Sequence, residues 1–335
     1  MRQEHVLIIR FSALGDVAMT LPVVYSVARA NKDVRFTVVT RPFFARLFVD
    51  APANVEVTGI DPKEFRGIGG TLRLLRKLNR LRATAVADLH NVLRSWIIDL
   101  WFGLKPGVRV AMVDKRRRGR REALRSGEQQ RGFTDRYMDV FHKLGLKGDA
   151  ADYAATLRQL KRERGREDDA ARPRIGLAPF ARYYNKTYPP EMMRQVAELL
   201  CKRGANVFLF GGRGAEAEQL EQWASAMEGC ECVAGKYGIE EEMELMRSMD
   251  VMASMDSANQ HLASLVGTPV VTLWGSTTPE CGFMPYGQPR SRSLVADVDC
   301  QPCTVAGSAT CPRGDFRCMK QLSPEMVADK LMSEC

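Results

Sequence analysis

The feature that most limits the fold of this chain is a series of short apolar runs without regular polar alternation. The first is VLII at residues 6–9, and similar runs occur at residues 85–89, 207–210 and 270–274. A strand that is apolar on both faces is typical of a parallel sheet covered by helices. Segments with helical periodicity separate the runs, so the sequence predicts open, doubly wound α/β sheets.

The length and one polar segment indicate two such domains. The chain has 335 residues, and domains average roughly 150 residues. The polar segment KRERGREDDAARP at residues 161–173 is typical of a linker, and a second α/β series follows it. We therefore predict two Rossmann-like domains facing a central cleft, at residues 1–165 and 166–323, and a closing helix at 324–335.

Composition and charge narrow the class of protein. Apolar residues make up 45% and charged residues 27% of the chain, which excludes a disordered or collagen-like protein. The net charge is +9, but residues 63–131 alone carry 18 Lys or Arg against 6 Asp or Glu. This basic region indicates an anionic partner, either nucleic acid, anionic lipid or a phosphorylated small molecule, unless it is only a solvated face.

The sequence also bears on where the protein is found. No apolar run reaches the roughly 18 residues of a membrane span, and the run at residues 6–9 is too short for a secretion signal. We therefore predict a cytoplasmic protein. Its nine cysteines are then expected to be mostly thiols.

Candidate site residues follow the predicted strands, because open α/β sheets bind ligands beyond the carboxyl ends of their strands. In the first such loop, Gly15 permits close approach of a ligand, and Asp16 is either a general base or a helix cap. In the loop at residues 180–186, Arg182 and Lys186 are either phosphate ligands or solvated cations.

Two further loops lie in the second half of the chain. GGRGAE at residues 211–216 is either an ordinary tight turn or a ribose site that uses Glu216. In DSANQH at residues 256–261, Asp256 and Ser257 are expected to cap the helix that carries His261. The remaining amides of that first helical turn are suited to an anion such as a diphosphate.

Three motifs together resemble the bacterial heptosyltransferases, the family 9 glycosyltransferases that build the inner core of lipopolysaccharide. They are SALGDVAMTLP at residues 12–22, NKTYP at 185–189 and DSANQHLASLVGTPVV at 256–271, and their order and spacing match that family. The resemblance implies a GT-B fold, an ADP-heptose donor, inversion at the anomeric carbon and no catalytic metal. Ala258 stands where the third motif usually carries glycine.

The resemblance also implies roles for individual residues. Asp16 is the expected general base, and Lys186 is expected to hold the diphosphate. The C-terminal domain is expected to bind the nucleotide sugar through Arg182, Gly211, Gly212, Glu216 (with Glu218 as a looser match), Asp256, Ser257, Ala258 and His261. The N-terminal domain is expected to bind the acceptor through Ser12, Gly15, Lys115, Arg116, Arg117, Arg118, Arg120 and Arg121.

The sequence thus predicts an inverting, metal-independent glycosyltransferase that moves heptose from ADP-heptose onto a lipopolysaccharide core or a related lipid-linked acceptor. It is expected to have no cofactor and no nucleic-acid partner, and to lie on the cytoplasmic face of the inner membrane. One alternative is a GT-B transferase that uses another nucleotide sugar for another surface polysaccharide. A catalytically inactive homologue that binds sugar is a second alternative.

A third alternative, a basic nucleic-acid-binding protein with a zinc site, is based on the charge and on four cysteines. These are Cys300, Cys303, Cys311 and Cys318, spaced C-x2-C-x7-C-x6-C. Four cysteines at this spacing are expected to do one of three things: hold a structural zinc ion as thiolates, form a local disulfide, or remain unligated thiols. None of them lies in the motifs assigned to catalysis.

Overall fold

The computed structural model describes residues 3–115, 128–151, 153 and 172–335, and these form two units. The first unit contains residues 3–115, 133–151 and 153. The second contains residues 172–335 together with residues 128–132. The expected boundary near residue 165 falls outside the described residues, as does most of the expected linker.

The first unit is a five-stranded parallel sheet in the order β3-β2-β1-β4-β5. The central strand is buried along its whole length, which the unalternated run at residues 6–9 predicts. The strands are β1 His5–Ile9, β2 Arg35–Thr40, β3 Val55–Gly59, β4 Ala85–Asp88 and β5 Arg109–Met112. The helices are α1 Leu14–Ala18, α2 Leu21–Ala30, α3 Pro42–Ala45, α4 Gly67–Asn79, α5 Leu93–Gly103 and α6 Phe133–Lys143.

The second unit is a six-stranded parallel sheet in the order β11-β10-β9-β6-β7-β8. Its strands are β6 Arg174–Ala178, β7 Asn206–Leu209, β8 Cys230–Cys232, β9 Val251–Met255, β10 Val270–Trp274 and β11 Ser293–Val295. Its helices are α7 Pro190–Lys202, α8 Ala215–Ser225, α9 Ile239–Arg247, α10 Ala258–Leu265, α11 Arg317–Lys320 and α12 Pro324–Met332.

Both sheets have the strand order of a mononucleotide-binding fold, which confirms the predicted α/β class. In each sheet the direction of strand addition reverses once, between β1 and β4 in the first unit and between β6 and β9 in the second. Loops that leave the carboxyl ends of two such strands diverge to opposite faces, so a crevice opens between them. These two positions are therefore where ligands are expected.

The sequence places leucines three apart at Leu72, Leu75, Leu78 and Leu81, which predicts a basic amphipathic helix over residues 71–82. This segment lies largely in α4, but the orientation of α4 differs from the one that the leucine spacing suggests. Leu75 and Leu78 are buried, whereas Leu72 is exposed and Leu74 is buried in its place. A strict three-residue spacing drifts around a helix of 3.6 residues per turn, so not every leucine in the series faces the core.

Among the helices of the described residues, none combines the length and the apolar character that a membrane span requires.

Candidate active site

The most constrained feature of the second unit is a buried ion pair at its topological switch point. Lys186 ends a short 3-10 turn, Tyr184–Lys186, in the loop after β6, and Asp256 directly follows β9. Lys186 Nζ lies 2.6 Å from Asp256 Oδ2, and the two side chains are only 9% and 6% exposed. Because an unpaired buried charge is strongly unfavourable, this pair fixes the position of both side chains.

Neighbouring side chains complete the environment of the Asp256 carboxylate. Thr277 Oγ1 donates a hydrogen bond of 2.6 Å to Oδ2, and Gln260 Nε2 donates one of 3.1 Å to Oδ1. Thr277 is buried in the loop after β10, and it was not among the residues expected at the site. The polar run GSTT at residues 275–278, immediately after an apolar strand, was the available signal.

The expectation that Asp256 and Ser257 cap the following helix is wrong for both side chains. Ser257 occupies the N-cap position of α10, but its side chain makes no capping hydrogen bond within the described structure. Its Oγ lies 3.2 Å from Ser254 Oγ instead, while Asp256 is engaged by Lys186. The first-turn amides of α10, starting at Ala258, are therefore not capped by either side chain.

His261 lies one turn into α10 and is buried. Its Nε2 is 3.4 Å from Gln260 Nε2. Gln260 in turn donates to the carbonyl of Phe283 and accepts from Thr272 Oγ1. The structure thus places His261 in the same buried polar network as Asp256.

The glycine loop after β7 is a tight turn closed by a carboxylate. The amide of Gly212 donates a hydrogen bond of 2.7 Å to Glu216 Oε2, and Glu216 lies in the first turn of α8. A Cβ atom at Gly211 would stand 2.9 Å from Leu220 Cδ1, so a side chain there requires Leu220 to shift. Glu216 is half-buried, and its position agrees with both the turn and the ribose interpretations.

Arg182 is the exposed cation of the loop at residues 180–186. Its guanidinium lies 5.5 Å from the centre of the Tyr183 ring. This contact is a cation–π interaction, which leaves the guanidinium in contact with solvent. The structure therefore separates the two cations of this loop into one buried and one exposed.

The loop that carries Lys186 contacts a C-terminal segment, residues 301–310. No local sequence pattern indicated this contact. Asn185 is buried and donates to Ser308 Oγ at 2.7 Å, and its Oδ1 accepts from the Ser308 amide at 2.8 Å. Gly307 has a φ of +100°, and a Cβ atom there would lie 2.8 Å from Lys186 Cε. The segment therefore packs directly against the lysine side chain.

The four spaced cysteines are thiols in the structure, and no disulfide joins them. The described residues contain no group of three or more His, Cys, Asp or Glu placed to hold a metal ion, so the zinc interpretation has no geometric support. Burial, together with the nearby thiols, raises the pKa of Cys318 to about 12. Cys318 is part of the hydrophobic core of the second unit.

In the first unit, the loop after β1 carries a second polar cluster. Asp16 lies in α1, and its Oδ2 accepts a hydrogen bond of 3.0 Å from the Ala13 amide. The same oxygen lies 2.6 Å from Arg10 Nη2, and Arg10 is almost fully buried. The Asp16 side chain remains 28% exposed, so its carboxylate is both held in place and accessible. Gly15 precedes it in α1.

His90 joins this cluster from the loop after β4. Its Nε2 lies 3.2 Å from Ser12 Oγ. Burial, followed by the positive charges of Arg10 and Lys115, lowers the pKa of His90 to about 3, so the ring is neutral at pH 7. Lys115, half-buried, thus lies near the cluster, whereas Arg116, Arg117, Arg118, Arg120 and Arg121 lie outside the described residues.

Arg10 and His90 were not among the residues expected from the sequence. Arg10 comes directly after the β1 run, and its guanidinium also donates to the Leu89 carbonyl at 2.5 Å. His90 follows the β4 run in the same way. A polar residue at the carboxyl end of a buried parallel strand was the common signal.

The fold and these sites define a class of protein. Each unit is a parallel α/β domain, and in each one the buried charged groups gather at the switch point. Two such domains in one chain agree with the GT-B glycosyltransferase fold that the motif resemblance implies.

Comparison with known proteins identifies the family within this class. The model of glycosyltransferase family 9 (heptosyltransferase) matches residues 71–312, and the chain therefore belongs to that family. It is 26% identical to lipopolysaccharide heptosyltransferase 1 of Pseudomonas aeruginosa, covering 98% of this chain and 97% of the relative.

Solved structures show the same fold over the full length. A family 9 glycosyltransferase from Veillonella parvula superposes with a TM-score of 0.74 at 18% identity, covering 100% of this chain and 98% of that one. The heptosyltransferase WaaC of E. coli, solved with ADP, gives a TM-score of 0.67 at 20% identity, covering 99% and 100%. The chain is a glycosyltransferase of the GT-B fold.

Proposed function

We propose that this enzyme transfers heptose from ADP-heptose to the core of lipopolysaccharide or a related lipid-linked acceptor, with inversion and without a catalytic metal. The observation that carries the proposal is the buried Lys186–Asp256 pair beside the first turn of α10. The names of the relatives support it, since the P. aeruginosa protein is a lipopolysaccharide heptosyltransferase and WaaC was solved with ADP.

The donor is proposed to bind at the switch point of the second unit. Its diphosphate would accept hydrogen bonds from the α10 amides and an ion pair from Lys186, whose Nζ is already placed by Asp256. The exposed Arg182 would add a second positive charge, and Glu216 would accept a hydrogen bond from a ribose hydroxyl. Ser257, Ala258 and His261 would line this site, with Gly211 and Gly212 permitting close approach.

Transfer is proposed to proceed by a single displacement. Asp16 takes the proton of the acceptor hydroxyl as that oxygen bonds to the anomeric carbon, and the bond from that carbon to the diphosphate breaks. The leaving ADP keeps the electron pair, and Lys186 stabilises the negative charge that develops on it. Attack from the face opposite the leaving group inverts the anomeric configuration.

The acceptor is proposed to bind to the first unit. Ser12 and Gly15 flank the base, and Lys115 contributes a positive charge near His90. The basic run that continues through Arg121 is suited to phosphate or carboxylate groups on an acidic, lipid-linked sugar. Such an acceptor would place the enzyme on the cytoplasmic face of the inner membrane.

A ligand screen by thermal unfolding tests the donor. ADP and ADP-heptose are compared with UDP, GDP and their sugars, and a ligand at 100 times its Kd stabilises the protein by about 2.7 kcal/mol. Stabilisation by ADP compounds alone is expected. Stabilisation by UDP or GDP compounds instead would support the alternative GT-B transferase, and stabilisation by no nucleotide would contradict the proposal.

A further inference from the structure

Helix α5 presents an apolar stripe to solvent. Leu93, Trp96, Leu100 and Leu104 are spaced three or four residues apart, which places them along one side of the helix and its C-terminal extension. All four are exposed, and Leu104 is 75% exposed. Large apolar side chains are exposed singly on most proteins, but a continuous stripe of them marks an interaction surface.

Helix α4 extends this stripe. Its inner residues Leu75 and Leu78 share one buried cluster with Ile98 and Phe102 of α5, so the two helices cover the same face of the sheet. Lys105, just after α5, donates a hydrogen bond to Asn79 at the end of α4. The outer sides of both helices therefore form one surface.

We define the α4–α5 surface by its exposed apolar residues Ile68, Leu72, Leu93, Trp96, Leu100 and Leu104. The exposed cations on and beside α4 border it. These cations are Arg66, Arg73, Arg76, Lys77 and Arg80.

The charge around the α4–α5 surface is predominantly positive. Between residues 61 and 105 the acids are Asp61, Glu64, Asp88 and Asp99, and the last two are buried. Cations therefore dominate what the surface shows to solvent. In the described residues no ion pair links Arg73, Arg76, Lys77 or Arg80 to an acid.

We propose that the α4–α5 surface docks on an anionic lipid bilayer, with its apolar side chains at the level of the headgroups. An apolar face bordered by Lys and Arg is the pattern of helices that lie in a membrane interface, where Trp is favoured. Cations near an anionic leaflet each strengthen binding. This inference rests on the lipid-linked acceptor of the proposed function and assigns its membrane contact to particular helices.

The same charge disfavours a second copy of the chain as the occupant. A symmetric dimer places identical patches face to face, so the cations of α4 would meet the same cations of the partner. Like charges that face each other across an interface are repulsive. An anionic bilayer neutralises them instead.

Vesicle binding tests the proposal without any sugar substrate. Wild-type protein is mixed with vesicles of phosphatidylglycerol and phosphatidylethanolamine, or of phosphatidylcholine alone, and bound protein is measured by flotation. The variant Trp96→Glu/Leu100→Glu is compared with Tyr237→Glu/Met326→Glu, which makes the same charge change at two exposed residues of the second unit. Circular dichroism and urea unfolding verify that each variant is folded.

The proposal predicts salt-sensitive binding of wild type to the anionic vesicles and at least tenfold weaker binding to phosphatidylcholine. The α5 variant is expected to bind anionic vesicles at least tenfold more weakly, and the control within twofold of wild type. No binding by wild type, or equal binding by wild type and the α5 variant, would overturn it. A change in oligomeric state with unchanged vesicle binding would assign the surface to a second copy and would also overturn it.

The test separates this inference from the proposed function. The vesicles contain neither ADP-heptose nor a sugar acceptor, so binding does not depend on catalysis. Heptosyl transfer to a detached, water-soluble acceptor with no vesicle binding would refute only the membrane inference. Vesicle binding through α5 without transfer would refute only the proposed function.

Discussion

Asp16 is the residue to which we assign the proton transfer of the proposed reaction. Arg10 and the Ala13 amide hold one of its carboxylate oxygens, and the side chain remains partly exposed to solvent. We expect Asp16→Ala to lower kcat by about 10²- to 10⁴-fold, the usual contribution of a general base. Steady-state kinetics at saturating donor measure the loss.

The control for this change is Asp33→Asn, which removes an exposed carboxylate elsewhere in the first unit. Its kcat is expected to equal that of wild type. The Kd of ADP is expected to be unchanged in both variants, because Asp16 and the proposed donor site lie in different units. A wild-type kcat for folded Asp16→Ala would refute the assignment of the base.

Lys186 and Asp256 allow structural and binding roles to be separated. Lys186→Met leaves the Asp256 carboxylate buried without its ion-pair partner, and removal of one member of a buried pair destabilises a protein by about 3–5 kcal/mol. The double variant Lys186→Met/Asp256→Asn removes both charges. We expect it to recover most of the stability, measured by urea unfolding, but not the affinity for ADP.

Recovery of ADP affinity in the double variant would contradict the role of Lys186. In that case the lysine serves only to neutralise Asp256. Thr277 and Gln260 contact the residue at position 256 in wild type, and an asparagine there still accepts or donates hydrogen bonds.

At the level of elements, we expect the C-terminal segment, residues 301–310, to position the loop that carries Lys186. A methyl group at Gly307 would approach Lys186 Cε to 2.8 Å and Tyr183 Cδ2 to 2.7 Å. We expect Gly307→Ala to displace the lysine and raise the Kd of ADP about tenfold or more, measured by calorimetry.

Gly314→Ala is the matched control, because Gly314 also has a positive φ, of +75°, but its Cβ would contact nothing within 4 Å. Both substitutions strain the backbone and are expected to lower stability by about 1–3 kcal/mol. Only Gly307→Ala is expected to weaken ADP binding. Equal affinities in the two variants would show that the segment does not position Lys186.

The contact between α5 and β4 predicts a pH dependence of stability. Burial, followed by the negative charge of Asp88, raises the pKa of Asp99 to about 8. Asp88 in turn accepts hydrogen bonds from the amides of His90 and Asn91. Asp88 thus holds the turn that carries His90.

Folded Asp99 keeps its proton up to about pH 8, whereas in the unfolded chain it ionises near pH 4. Its contribution to stability is therefore full below pH 4 and lost as the pH rises to 8, by at most about 1.4 kcal/mol per pH unit. Asp99→Asn removes this loss. We expect the free energy of unfolding of the variant, relative to wild type, to increase between pH 5 and 8; a constant difference would contradict the raised pKa.

At the level of the whole molecule, the sequence predicted the strands and helices that depend on residues close together along the chain. Runs such as residues 6–9 are buried on both faces, and the helix starting at Pro324 forms where the sequence places it. The sequence did not predict the Lys186–Asp256 pair, because 70 positions separate the two residues and only the parallel pairing of β6 and β9 brings them together. The bonds from Asn185 to Ser308 span 123 positions and left no local signal.

The residue pattern also misled for α4, which packs against the sheet on one side and faces solvent on the other. The three-residue leucine spacing of α4 suggested a single buried face, but Leu72 belongs to the exposed α4–α5 surface. The sequence does not show which residues of an apolar-rich helix meet the sheet, since that depends on the neighbouring α5. The domain division and the acceptor arginines remain predictions.

The proposed reaction is tested most decisively by a transfer assay with ADP-heptose and a lipopolysaccharide core that lacks heptose. We expect release of one ADP per acceptor, a mass increase of one heptosyl unit, and an anomeric configuration in the product opposite to that of the donor. Transfer from a UDP or GDP sugar but not from ADP-heptose, or retention of the donor configuration, would contradict the proposed reaction.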